Sequence, residues 1–222
     1  MRSVVASLFC LLLACGSYVS PYHYSGEGTY VSYGVRRMVK SAARLRVYCD
    51  GTISAYGSAT AISPRLALTA RHMGRVCKGT STATYTLQFD DGSIYEVAML
   101  KMAKNEEVDT AQLYDVESIT FAHYARVAAY EPARGQHVWV YAGDGKLDVP
   151  GEWGFVIKEG RVSRVLDGVL VVSAHGVPGN SGCGVFDDAG RLLAVLWGGS
   201  WNPNSEFYFE AYRPAAWPDL LQ

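Results

Sequence analysis

The fold expected for this chain is decided by one glycine-rich segment, Pro178-Gly179-Asn180-Ser181-Gly182-Cys183-Gly184. A nucleophilic serine needs its Oγ exposed on a tight turn, beside backbone N–H groups that are free to bind an oxyanion. Gly179 has no Cβ to block an approaching carbonyl, so the N–H groups of Gly179 and Ser181 are predicted to form the oxyanion hole. A glycine-rich turn alone is more often only a turn, so this interpretation requires partners elsewhere in the chain.

Two residues far upstream are candidates for those partners. His72 follows an apolar segment, residues 66–70, which is predicted to be a strand with the imidazole at its end. Asp109 lies inside another predicted strand, residues 108–114, where a carboxylate is excluded from the core unless it is buried against an imidazole N–H. We therefore predict a catalytic triad in which Asp109 orients His72 and His72 takes the proton of Ser181.

The order of these residues along the chain separates enzyme classes that use the same side chains. An α/β-hydrolase places its histidine after the serine, and a papain-like enzyme places it after the cysteine. Both folds are excluded here, because no histidine follows His175. Cys183 is disfavoured as the nucleophile because Ser181 occupies the position two residues before it, where a glycine is expected.

The order His72, Asp109, Ser181 resembles that of the chymotrypsin superfamily of trypsin-like serine proteases. The nearest branch is the bacterial one that contains the HtrA and glutamyl-endopeptidase enzymes. Four segments resemble the corresponding motifs of this family: residues 66–72, 108–113, 178–182 and 192–199. The resemblance implies an all-β fold of two six-stranded antiparallel β-barrels, with the active site in the cleft between them.

For function, the resemblance implies a serine endopeptidase that hydrolyses peptide bonds of protein or peptide substrates through an acyl-enzyme, without a cofactor. It also implies a substrate-binding cleft formed by His175, Leu196, Trp197 and Gly198, with His175 near the floor of the P1 pocket. The alternative is a catalytically silent member of the fold that serves as a membrane-anchored binding module. The presence of all three triad residues argues against that alternative.

Two residues depart from the pattern of the family. Asn180 stands where zymogen-type relatives have an aspartate that pairs with a newly cut N-terminus, so activation through that ion pair is not expected. Leu196 stands at or beside the position of a serine that supports the catalytic aspartate in many relatives. Glutamyl-specific relatives have a histidine before Trp-Gly-Gly, so Leu196 also argues against that specificity.

The rest of the pattern indicates a globular chain of short strands. Of its 222 residues, 49% are hydrophobic and 18% charged, and its 23 glycines favour turns. About six strands are expected between residues 45 and 114 and about six between residues 137 and 211, with 153–157 and 160–166 as separate strands. Short helices are expected at 35–44 and within 214–221, and the domains at 35–120 for the first barrel and 121–222 for the second barrel with its terminal helix.

Residues 1–16 resemble a secretory signal peptide. Their apolar run, residues 4–13, is too short to cross a bilayer as a stable helix. Leu12-Leu13-Ala14-Cys15 resembles a lipobox, in which Cys15 would be lipidated, whereas cleavage after Gly16 would release a secreted protein. Residues 17–34, rich in Ser, Gly and Tyr, are predicted to be a tether. The protein is thus expected to be exported, either lipid-anchored in a bacterial cell envelope or secreted.

Three cysteines follow the leader, namely Cys49, Cys77 and Cys183. In an oxidising compartment, Cys49 and Cys77 could form a disulfide whose loop encloses His72. The alternative is that both are buried free thiols. No spacing of the cysteines resembles a zinc-ligand set, so no metal is expected. The formal net charge of −1 provides no basic field, so nucleic-acid binding is not expected.

Overall fold

A computed structural model describes residues 33–79, 82–105, 107–115, 120–144, 154–174, 176, 179–201, 207–216 and 218–221. The predicted signal peptide, the lipidation site Cys15 and His175 lie outside the described residues, as does the predicted tether apart from its last two residues. Within the described ranges, no helix has the length and apolar character that crossing a membrane requires.

The first half of the chain forms a closed antiparallel barrel. Its strands are β1 (Ala42–Cys49), β2 (Thr52–Ala61), β3 (Leu66–Thr69), β4 (Ala83–Phe89), β5 (Ile94–Met102) and β6 (Ala111–Asp115). They are hydrogen-bonded in the order β1-β2-β3-β6-β5-β4. Successive side chains of a strand face opposite sides, and the inward-facing Leu45, Leu87 and Leu113 are fully buried.

The second half forms a matching closed barrel. Its strands are β7 (His137–Asp144), β8 (Gly154–Leu166), β9 (Val169–Ser173), β10 (Gly184–Phe186), β11 (Leu192–Trp201) and β12 (Phe207–Tyr212). Their order is β10-β11-β12-β9-β8-β7, and Val140, Val172 and Phe209 belong to the core. The predicted fold of two six-stranded antiparallel barrels is confirmed.

A third group of buried residues joins the two barrels. The helix α1 (Tyr33–Ser41) contributes the fully buried Met38, the first barrel contributes Leu68, and the second contributes Tyr141 and Phe186. Burying one large apolar side chain stabilises a fold by about 1.5–3 kcal/mol. The barrels therefore share a core, which fixes the two walls of the cleft between them.

Three predicted elements have different bounds in the structure. Helix α1 ends at Ser41 rather than at residue 44, because β1 pairs with β2 from Ala42 onward. The predicted strands 153–157 and 160–166 are replaced, from residue 154 onward, by the single strand β8, because residues 154–161 pair with β7 without interruption. The C-terminal segment forms two short 3-10 turns, Pro214–Ala216 and Pro218–Leu220.

A disulfide closes the segment that contains the predicted base. Cys49 ends β1, and Cys77 follows a 3-10 turn (Arg71–Arg75) that contains His72. The two sulfurs are 2.01 Å apart and the Cα atoms 5.3 Å apart, with a sequence separation of 28 residues. The bridge therefore ties the His72 turn back to the first strand of the barrel.

Removing this bridge is expected to destabilise the protein without unfolding it. The double variant Cys49→Ala/Cys77→Ala should lose about 3 kcal/mol of unfolding free energy, because the unfolded chain regains the entropy of an open loop. Urea unfolding followed by fluorescence measures the loss, and reduced wild-type protein should show a similar one. An unchanged unfolding midpoint in both samples would contradict the stabilising role of the bridge.

Candidate active site

The structure brings the predicted base and the predicted aspartate together through two contacts. His72 Nδ1 lies 2.5 Å from Asp109 Oδ2, and the main-chain N–H of His72 donates to Asp109 Oδ1 at 2.7 Å. The imidazole is 44% exposed and the carboxylate 19% exposed. A proton on Nδ1 satisfies the carboxylate, which leaves the lone pair on Nε2 as the acceptor of the ring.

Asp109 lies outside the strand in which the sequence placed it. β6 begins at Ala111, so Asp109 belongs to the connection that precedes the strand. This connection is folded by two main-chain hydrogen bonds, from Val108 N–H to the Asn105 carbonyl and from Ala103 N–H to the Thr110 carbonyl. The carboxylate is therefore free of the strand ladder and can turn toward both donors of His72.

Tyr212 links the second barrel to this connection. Its hydroxyl donates to the carbonyl of Glu107 at 2.5 Å, two residues before Asp109. Burial, followed by the charge of Asp109, raises the pKa of Tyr212. Its ring packs against Trp197, with the centroids 5.9 Å apart. Leu196, predicted to lie at or beside the position of the family's supporting serine, is buried and has no polar side chain, and the hydroxyl that contacts this segment is that of Tyr212.

The Ser181 turn is shaped by glycines with positive φ. Gly179 has φ +96° and Gly182 has φ +91°, values that only glycine adopts readily. Gly182 N–H donates to the Leu196 carbonyl at 2.7 Å, and Cys183 N–H donates to the Asn180 carbonyl at 3.0 Å. These bonds attach the turn to β11 and close it around Ser181.

The same turn is held from the first barrel by Ser58. The N–H of Ser58 donates to the Ser181 carbonyl at 2.7 Å, and its hydroxyl donates to the Gly179 carbonyl at 2.9 Å. A Cβ at Gly182 would lie 2.0 Å from the Ser58 carbonyl oxygen and 2.4 Å from Thr69 Oγ1. The turn therefore packs directly on β2 and on the end of β3, the strand that leads to His72.

Met73, the residue after the predicted base, also lies against β2. Met73 is 3% exposed and follows His72 in the 3-10 turn. A Cβ at Gly57 would lie 2.8 Å from the Met73 methyl carbon and 3.2 Å from the Ser181 carbonyl oxygen. The backbone of β2 thus passes close to both elements that contain His72 and Ser181, and a side chain at residue 57 would crowd Met73 and the Ser181 carbonyl.

Three of the four predicted substrate-binding residues lie on β11. Leu196 is buried, Trp197 is half-buried against Tyr212, and no atom of the described residues lies within 4 Å of the place where a Cβ of residue 198 would stand. An extended strand with open space beside it can pair with substrate backbone, as peptide-binding sheet edges do. The assignment of these residues to substrate binding stays a prediction, since no contact with a substrate tests it.

The described cysteine nearest the predicted nucleophile is a poor candidate for that role. Cys183 is fully buried, and burial raises the pKa of its thiol to about 12 even though Lys158 lies close enough to lower it. The thiolate is the reactive form of cysteine, and this thiol stays protonated at neutral pH.

Cys183 should therefore resist alkylation in the folded protein. At about pH 8, a pKa of about 12 leaves roughly one thiol in 10⁴ as thiolate. Iodoacetamide treatment followed by peptide mapping should find Cys183 unmodified in native protein and modified after unfolding in guanidinium chloride. Equal modification rates in the two samples would contradict the burial of this thiol.

The sequence of this chain matches one known protein family over more than half of its length. A family model described as a trypsin-like peptidase domain matches residues 57–195, a range that includes all three predicted triad residues. The chain belongs to the trypsin-like peptidase family. The predicted resemblance to trypsin-like serine proteases is thereby confirmed, and membership in this peptidase family supports a protease function with peptide or protein substrates.

Solved proteases share the fold of this trypsin-like peptidase. The active form of the Rv3671c protease from M. tuberculosis has a TM-score of 0.66 and 19% identity, over 91% of this chain and 86% of that one. The serine endoprotease from Yersinia pestis has a TM-score of 0.68 and 18% identity, over 88% of this chain and 66% of that one. At these identities the similarity concerns the fold. No curated protein matches this trypsin-like peptidase.

Proposed function

We propose that this trypsin-like peptidase is a serine endopeptidase with a triad of His72, Asp109 and Ser181. The observation that supports the proposal most strongly is the double contact from Asp109 to the ring and to the main-chain N–H of His72. A carboxylate held in this way fixes both the tautomer and the direction of an imidazole. The contacts of the Ser181 turn with Ser58 and with the end of β3 add support.

The chemistry starts at the hydroxyl of Ser181. Its Oγ attacks the carbonyl carbon of the scissile peptide while its proton moves to Nε2 of His72. The carbonyl oxygen becomes an oxyanion, which the N–H groups of Gly179 and Ser181 are proposed to bind. Asp109 stabilises the positive charge that forms on the imidazole.

The second half of the cycle returns the enzyme to its starting state. His72 gives its proton to the leaving nitrogen, the C–N bond breaks, and the acyl group stays on Ser181. A water molecule then gives a proton to His72 and attacks the acyl carbon, which releases the acid product and restores the Ser181 hydroxyl. No cofactor takes part in these steps.

An active-site probe tests the proposal. A fluorophosphonate reacts with a serine hydroxyl only when a neighbouring base activates it, so the full chain should take up one phosphonyl group per molecule. Peptide mapping should place that group on Ser181, and Ser181→Ala should take up none. Ser54→Ala is the matched control, because Ser54 is an exposed serine with a local hydrogen bond to Thr52 only.

The probe also separates the enzyme from the silent binding module. Folded protein that takes up no phosphonyl group, or takes it up at another serine, would contradict the proposed triad. Absence of any labelling would favour a role in binding, since the fold would then be present without an activated nucleophile.

A further inference from the structure

The residue before the predicted nucleophile has a charged partner inside the second barrel. Asn180 is 1% exposed, and its side-chain Oδ1 accepts a hydrogen bond from Lys158 Nζ at 2.9 Å. Its main-chain carbonyl accepts from Cys183 N–H at 3.0 Å. A buried amide needs hydrogen-bond partners, and here an ammonium ion provides one of them directly below the Ser181 turn.

Lys158 reaches this position from the wall of the barrel. Lys158 lies on β8 and is half-buried. Val162, four residues further along the same strand, is buried. The Lys158 ammonium lies 5.8 Å from the ring centroid of Phe209, whose face attracts a cation. The positive charge of Lys158 also lowers the pKa of the Cys183 thiol, against the larger effect of burial, which raises it. A partly desolvated ammonium is costly unless it is paired, and its bond to Asn180 is one contact that compensates for this cost.

The Ser181 turn is thus held from two sides. On the side of the first barrel, Ser58 binds the carbonyls of Gly179 and Ser181. Inside the second barrel, Lys158 binds the side chain of the residue between those two. The orientation of the peptide groups at Gly179 and Ser181 determines whether their N–H groups can meet an oxyanion. A contact that fixes Asn180 therefore fixes the geometry on which the proposed mechanism depends.

We infer that Lys158 is a positioning residue, whose ammonium holds Asn180 and thereby keeps the Ser181 turn in its reactive geometry from within the folded domain. This inference rests on the proposed function of Ser181. Asn180 is uncharged and is not expected to pair with a newly cut N-terminus. In this structure the cation that contacts it comes instead from Lys158, within the folded domain. The reactivity of Ser181 then depends on a side chain of β8.

A double-mutant cycle in the full chain tests the inference. Lys158→Met keeps the length of the side chain without the ammonium, and Asn180→Leu keeps the shape of the amide without its oxygen. Each variant should lower the rate constant of fluorophosphonate labelling at Ser181 by about 10- to 100-fold, as expected for a lost charge-assisted hydrogen bond. The double variant should be no slower than the slower single variant, because both changes remove one contact.

Two further measurements separate positioning from a general loss of structure. Arg164→Met is the matched control, since Arg164 is an exposed cation on the same strand, and it should label at the wild-type rate. For a peptide substrate, Lys158→Met should lower kcat while KM changes by less than about threefold, because the cleft is intact and only the reacting groups are displaced. Thermal unfolding should show that each variant is folded at the assay temperature.

The outcomes are distinct. Lys158→Met protein that is folded and labels as fast as Arg164→Met overturns the inference and leaves the proposed function in place. Multiplying effects in the double variant also overturn it, since they would show that the two residues act separately. Wild-type protein that does not label overturns both the proposed function and the inference that depends on it.

Discussion

Replacing Ser181 by alanine is expected to lower the turnover number for a peptide substrate by roughly 10⁶-fold. The variant has no oxygen that can attack the peptide carbonyl, and only the oxyanion hole and substrate binding remain to accelerate hydrolysis. His72→Ala should cause a loss of similar size, because the hydroxyl is a weak nucleophile without a base. The double variant should be no worse than either single one, since the two residues act as a unit.

Hydrolysis of a casein-derived peptide mixture by wild type and the variants measures this effect. Ser54→Ala should hydrolyse the mixture at the wild-type rate, and all variants should unfold at similar temperatures. A Ser181→Ala protein with more than about a hundredth of wild-type turnover would be incompatible with Ser181 as the nucleophile.

Asp109→Asn is expected to lower the turnover number by about 10⁴-fold while the fold is retained. The reason lies in the double contact of this side chain with His72. The amide oxygen must stay at the main-chain N–H of His72, so the amide NH₂ group faces the ring at Nδ1. Nδ1 must then be the unprotonated nitrogen, which places the ring proton on Nε2 and leaves no acceptor for the Ser181 proton.

Steady-state kinetics on the same peptides measure the loss. Asp91→Asn is a suitable control, because this exposed carboxylate accepts hydrogen bonds from Ser93 in the turn between β4 and β5. Asp109→Asn protein with turnover within about tenfold of wild type would show that the carboxylate does not set the tautomer of the base.

The sequence was sufficient for the fold because the informative features are local. The glycines around Ser181, the apolar residues before His72 and the chain order of the three side chains are each readable without coordinates. Short strands separated by turns are readable in the same way, whereas the two six-stranded barrels were implied by the resemblance to trypsin-like proteases. Strand bounds were less accurate where pairing decides them, as in β8, which continues through Gly160 because β7 pairs with it on both sides of this residue.

The residues that support the site could not be predicted from local patterns. Ser58 contacts Gly179 across 121 residues of sequence, and Tyr212 contacts Glu107 across 105. A lysine between two predicted strands reads as a solvent-exposed residue, and only the folded barrel reveals that Lys158 contacts Asn180. Such contacts depend on which strands become neighbours, which no motif in the chain encodes.

The proposed export and the lipidation of Cys15 stay predictions from the sequence, since both concern residues before Tyr33. The assignment of His175 to the P1 pocket has the same standing. Each rests on the resemblance of a short segment to a known pattern, whereas the assignment of His72 and Asp109 also rests on their contacts in the structure.

The most direct test of the triad is the distance between His72 Nε2 and Ser181 Oγ in a crystal structure of the active protein. Proton transfer requires hydrogen-bond reach, so we expect about 2.6–3.2 Å, with Asp109 still bonded to the other side of the imidazole. An imidazole that lies several ångströms out of reach of the Ser181 hydroxyl, both with and without a bound phosphonate, would contradict the proposed mechanism.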